Sequence, residues 1–184
     1  IQDSLVGSEM CIRDRVCRTE HELSDDLRKK LALFCNVEVE AVIQSIDVKT
    51  IYDVPILMYE EGLDKVVMKR LEINLDTKPD LTQWQSFLKR HKHPKSSVTI
   101  GLIGKYVELQ DSYKSILESF VHAGAANEVE VKVVPIHSSD LDEKDVHKKF
   151  ESFDGVLVAP GFGERGIEGK INAIKYVREQ KIPF

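Results

Sequence analysis

The hydrophobic pattern of the chain is most regular from residue 98 onward. Short apolar runs there alternate with stretches whose apolar residues recur every three or four positions. Val98, Ile100, Leu102 and Ile103 predict a strand over 98–103 that ends at Gly104. Tyr113, Ile116, Leu117, Phe120 and Val121 share one face of a helix over 112–125. Residues 130–136 alternate as a strand, 142–150 read as a helix, and 156–159 form a third apolar strand. A helix follows over 167–180, with Ile171, Ile174 and Val177 assigned to its buried side, and 182–184 read as the first residues of a fourth strand. Strands alternating with helices predict a parallel sheet covered on both faces. Right-handed crossovers then bring Gly104, Pro135-Ile136-His137 and Pro160-Gly161 to one sheet edge.

The first half of the chain is less regular. Ser24 is a good N-cap for a helix over 27–34, with Asp25 and Asp26 at its positive end. Leu27, Leu31 and Phe34 would form its apolar face, and Arg28, Lys29 and Lys30 read from pattern alone as a solvated basic face. A strand is expected over 41–48 and helices over 52–61, with Pro55 near the start, and over 63–71. Gly62 would close the first of those helices. The composition at 74–79 and 91–97 suits linkers, with a short helix between them carrying Leu81, Trp84 and Leu88. These breaks divide the chain into 16–75, a linker over 76–97, and 98–184. Residues 1–15 have no period and no signal-peptide core. They resemble a translated adapter and are set aside as extraneous. The chain stops as a strand begins, which suggests a fragment truncated at both ends.

Composition narrows the class. With 184 residues, 42% hydrophobic and 31% charged, the chain suits a globular protein. A net charge of −5 without a dense basic block disfavours nucleic acid as a partner, and no apolar run is long enough for a membrane span. Cys11, Cys17 and Cys35 lack metal-site spacing and fit a reducing, cytoplasmic setting. His91 and His93 lie in a Lys/Pro-rich stretch that reads as solvated linker.

Residues 156–169 carry the most suggestive chemistry. They run from an apolar strand into Pro-Gly-Phe-Gly and then a polar loop containing Gly166 and Gly169. At the carboxyl end of a strand in an open α/β sheet, such a turn lets backbone N–H groups approach a ligand and stabilise an oxyanion. On pattern alone, an ordinary strand-to-helix turn, with glycines only for tightness, is the favoured explanation.

The chain as a whole resembles the CTP synthase family. The resemblance rests on Val-Cys-Arg (16–18), Leu-Phe-Cys-Asn-Val (33–37), Ile-Tyr-Asp-Val-Pro (51–55), Ile-Gly-Leu-Ile-Gly-Lys-Tyr (100–106), Asp-Ser-Tyr-Lys-Ser-Ile (111–116) and Pro-Gly-Phe-Gly-Glu-Arg-Gly-Ile-Glu-Gly (160–169). It implies a three-layer α/β/α, mostly parallel, flavodoxin-like class I glutaminase half over 98–184, preceded by the C-terminal part of a P-loop-type α/β synthetase domain. The implied activity is ATP-dependent phosphorylation of uracil O4 in UTP, followed by amination with glutamine-derived ammonia to give CTP. Magnesium would accompany ATP, GTP would activate the glutaminase half, CTP would inhibit by feedback, and homotetramers are expected.

Carried over by position, Lys30 would contact UTP or CTP, which reassigns that residue from a solvated face. Ile46, Asp47 and Val48 would line the ATP adenine pocket, although the family often has lysine or histidine where Ile46 stands. Gly161 would bind glutamine and serve the oxyanion hole. Pro160 stands where many members have glycine and offers no N–H, so the donor role falls to Gly161 or its successor. Residues 163–169 would be a lid. The phosphate-binding loop and magnesium ligands would lie upstream, and the nucleophilic cysteine after Phe184. No catalytic residue is therefore expected within the chain, and the fragment itself would be inactive. A class I amidotransferase of another synthetase and a non-enzymatic flavodoxin-like binding domain are the alternatives. The segment 16–75 discriminates against the first, and a Gly-x-Cys-x-Gly elbow after Phe184 against the second.

Overall fold

The computed structural model describes residues 14–74 and 78–184, excluding the side chains of Gln110 and of 143–145. Its contacts divide the chain into two units, 1–82 and 83–184.

In the first unit, strands β1 (Arg15–Thr19) and β2 (Val42–Ile46) pair in parallel, with Val16 opposite Ile43. Strand β1 lies at the edge of the segment set aside from the sequence and was not expected. Helix α1 (Asp25–Cys35) begins at Ser24, whose hydroxyl accepts the Leu27 N–H, and ends at Asn36 in the left-handed region. Its apolar face is not the expected one. Leu27 and Phe34 are exposed, Phe34 at 86%, whereas Ala32 is buried. Arg28 corrects the solvated-face expectation at that position. It donates to Val42 O at 3.0 Å and makes a forked pair with Glu61 at 3.0 and 3.3 Å. Glu61 also accepts the Gln44 N–H at 3.1 Å. One ion pair thus ties α1 to β2 and to the end of α2 (Val54–Glu60). Burial pushes the Glu61 carboxyl up, but the Arg28 and Gln44 hydrogen bonds outweigh it and hold the group below its ordinary value. Gly62 does not close α2, whose C-cap is Glu61; in the left-handed region, it instead starts α3 (Leu63–Arg70) and lets the chain turn directly from one helix into the next.

In the second unit, α4 (Thr82–Lys92) precedes a three-stranded parallel sheet of β3 (Ser96–Gly104), β4 (Val129–His137) and β5 (Gly155–Val158). The strand order is β4-β3-β5, with β3 in the centre. Helix α5 (Lys114–Asn127) follows β3, α6 (Glu143–Phe150) follows β4, and α7 (Ile167–Glu179) follows β5. Alternation along β3 separates two cores. Ile103 belongs with Val146, Phe150, Val156, Ala173 and Val177, beneath α6 and α7. Leu102 belongs with Tyr113, Ala159, Ile116 and Leu117, toward α5. Helices therefore cover both faces of a parallel sheet, as expected.

The buried side of α7 differs from expectation. Gly169, Ala173 and Val177 face the core, whereas Ile171 is 51% and Ile174 37% exposed. The small residues let the helix approach closely, and that approach decides the face. Residues 182–184 are not a strand, but Pro183 O accepts the Val156 N–H at 2.9 Å, one rung beside β5.

Candidate functional site

The carboxyl ends of the second sheet meet around two lysines. The turn leaving β3 is fixed by Tyr113, whose phenol oxygen accepts the N–H groups of Lys105 at 3.0 Å and Tyr106 at 3.4 Å. That approach requires glycine at 104, where a Cβ would stand 2.4 Å from the phenol oxygen. Lys105 is 2% exposed. Its Nζ donates to the carbonyls of Phe162 at 2.8 Å and Gly163 at 2.5 Å. Lys170, in the first turn of α7, donates to Ala159 O at 2.7 Å. Burial, and then the nearby Lys105 charge, lower the Lys170 pKa from its ordinary value.

The Pro-Gly turn lies on these two side chains. Ala159 N–H donates to Ile103 O at 2.8 Å and forms the last rung of the sheet. Pro160 follows and has no N–H to give. A Cβ on Gly161 would lie 3.5 Å from both Lys105 Cδ and Lys170 Nζ. Among the described residues no acceptor takes the N–H of Gly161 or Phe162. Three carbonyls of the segment are thus held by ammonium groups, while two neighbouring N–H groups remain available to a ligand. Arg165 donates to Lys105 O at 3.5 Å and lies 5.9 Å from the Tyr106 ring centre.

The start of α7 is pressed onto the short turn Ser138–Asp140 that follows β4. A Cβ on Gly169 would fall 1.7 Å from Ser138 O. Beside that turn, His137 Nδ1 accepts the Ser139 N–H at 3.2 Å, and Nε2 lies 3.7 Å from Glu108.

In the first unit, Lys30 is exposed on α1. Ile46, Asp47 and Val48 leave the end of β2. Ile46 and Val48 are half-buried and Asp47 is exposed. The Asp47 N–H donates to Thr19 O at 2.8 Å, and its carboxylate accepts from Arg18 Nε at 2.8 Å. That hydrogen bond from Arg18 holds the Asp47 carboxyl below its ordinary value. Lys105, Tyr113 and Lys170 were missed as site residues in the sequence. The only signal for Lys105 was its position one residue after a glycine at a strand's carboxyl end. Among the described residues, no three His, Cys, Asp or Glu side chains converge as a metal site.

Comparison with known families bears directly on this arrangement. Residues 9–73 match the family model for the CTP synthase N-terminus, and residues 108–184 match class-I glutamine amidotransferase. The chain belongs to the CTP synthase family. Over 169 residues it is 67% identical to the CTP synthase of Christiangramia forsetii and 65% identical to that of Flavobacterium psychrophilum, each match covering 92% of this chain. The CTP synthase of Methanocaldococcus jannaschii is 50% identical over 175 residues. The chain spans about a third of these relatives, 31% and 32% of the first two. Among solved structures, the glutaminase domain of Trypanosoma brucei CTPS with bound acivicin is 33% identical, with a TM-score of 0.44 over 47% of this chain and 34% of that one. The two matches in one chain favour a CTP synthase segment over an amidotransferase of another synthetase, and the parallel α/β sheet agrees with a class I glutaminase half.

Proposed function

We infer that this chain is the central segment of a glutamine-hydrolysing CTP synthase. The parent enzyme makes CTP from UTP, ATP and glutamine. The observation that carries the reading is the presence, in one chain, of a CTP synthase N-terminal match followed by a class-I amidotransferase match. Residues 16–75 are the end of the synthetase domain, 76–97 the linker and 98–184 the start of the glutaminase domain. The division of contacts near residue 82 supports that order.

On this reading Gly161 binds glutamine, and the free N–H groups of Gly161 and Phe162 stabilise the oxyanion formed when its amide is attacked. Residues 163–169 cover the site. Ile46, Asp47 and Val48 meet the ATP adenine. Lys30 contacts UTP, or CTP as feedback inhibitor, and its exposure leaves the ammonium free to meet a phosphate. Magnesium accompanies ATP on residues outside this chain, GTP activates the glutaminase half, and the parent is a cytoplasmic homotetramer. Among the described residues no helix is long and apolar enough to cross a membrane. Residues 98–184 contain no cysteine, so on this reading the glutaminase nucleophile belongs to another part of the parent enzyme. The isolated chain is inactive.

The test replaces the matching residues of the Christiangramia forsetii CTP synthase with this segment. UTP-to-CTP conversion is then measured with glutamine and, separately, with ammonium. Conversion with both nitrogen sources is expected. Loss of both, while the unaltered relative converts UTP, would overturn the reading.

A further inference from the structure

We propose that Lys170 is a positioning residue for glutamine hydrolysis: together with Lys105 it clamps the carbonyls of the Pro-Gly turn so that the Gly161 and Phe162 N–H groups stay free for the oxyanion. The proposal rests on the amidotransferase reading above and assigns a role to a residue outside the glycine-rich turn.

Three observations carry it. First, the sheet ends at Ala159, whose N–H makes the last rung and whose carbonyl is followed by a proline. No following N–H can anchor the peptide, and the only donor to Ala159 O among the described residues is Lys170 Nζ at 2.7 Å. Second, Lys105 holds the carbonyls of Phe162 and Gly163 on the other side of Gly161. The segment is therefore gripped at both ends while the N–H groups between are left unused. Third, both ammonium groups give their hydrogen bonds to backbone carbonyls, and neither pairs with a carboxylate among the described residues. Their charges remain uncompensated beside Gly161 and favour a developing negative charge. A partly buried cation placed only on a carbonyl costs desolvation. Holding the turn in place is the return the geometry offers for that cost.

Lys170→Met keeps most of the side-chain length and removes the donor. In the grafted enzyme, Lys170→Met lowers kcat for glutamine-supported CTP formation about tenfold or more, since loss of an oxyanion donor costs roughly 10²–10³ and displacement costs part of that. KM for glutamine and ammonium-supported formation change less than about twofold, because uniform binding and the synthetase half are untouched. Lys170→Arg retains a cationic donor and restores most of the rate. Lys148→Met, at an exposed position on α6, serves as control. Equal losses with both nitrogen sources, or a glutamine-supported kcat within about twofold of the parent, overturn the proposal.

A second measurement needs no activity. In the 184-residue chain, Lys170→Met raises the rate of tryptic cleavage after Arg165 by about threefold or more, as a loosened loop opens more often. An unchanged cleavage rate overturns the clamp. If the graft makes no CTP from either nitrogen source, the functional reading fails and the proteolysis result still decides the clamp.

Discussion

Gly169→Ala tests how tightly the site is built. The added Cβ would stand 1.7 Å from the carbonyl oxygen of Ser138, whereas real Cβ contacts essentially never fall below 3.0 Å. The start of α7 or the turn at Ser138–Asp140 must therefore move by at least about 1.3 Å. Both are backbone, so no side-chain rotation relieves the clash. Overpacking of this kind costs about 1–3 kcal/mol, and more when backbone must shift. Alanine recovers about 1 kcal/mol over glycine within a helix. Because backbone must shift, the cost lies at the upper end, about 3 kcal/mol, and the net loss is about 2 kcal/mol, or a fall of roughly 8–16 °C in the melting temperature of a unit this size. The chain has one tryptophan, Trp84, and it lies in the second unit, so its fluorescence during thermal or urea unfolding follows that unit. A variant as stable as the parent, or more stable as helix propensity alone would have it, would refute the close packing of α7 on the turn after β4.

Gly163→Ala is the matched comparison. Its φ of +79° disfavours a side chain, but no atom lies within 4 Å of the added Cβ, so the Trp84 transition should show a loss of only about 1 kcal/mol. Tyr113→Phe removes the acceptor for the Lys105 and Tyr106 N–H groups and should cost about 1–3 kcal/mol in the same assay. In the first unit, the folded Glu61 carboxyl lies below its unfolded value of about 4.3. Its contribution is fully present above that pH and is lost as pH falls through the lower folded value. Glu61→Gln should therefore be less stable than the parent at pH 7 and should show a shallower acid dependence, read from the far-UV urea transition that Trp84 does not follow. Equal acid dependence in the two proteins would count against the Arg28–Glu61 pair.

The α/β order was legible because strands such as β3 are short unbroken apolar runs and α5 keeps a clear helical period. The choice of face was less legible. Branched aliphatics lie on more than one side of α7, and the small residues Gly169 and Ala173 settle which side approaches the sheet, a property that hydrophobicity does not record. Arg28 read as a solvated charge because its partner, Glu61, is 33 residues away. The glycine-rich turn itself was found from sequence. The lysines that hold it were not, because a lysine bonded to carbonyls looks in sequence like any surface cation.

The phenol of Tyr113 links the entry of α5 to the first residue beyond β3, and the side chain of that residue grips the turn beyond β5. Two hydrogen bonds in series thus form a lever from helix to Pro-Gly turn, with Lys105 as its arm. Lys105 joins the entry of α5 to Phe162 and Gly163 by side-chain contacts in addition to the strands themselves. The geometry of the turn beyond β5 therefore depends on the seating of an aromatic ring that lies 49 residues before Phe162 in the chain.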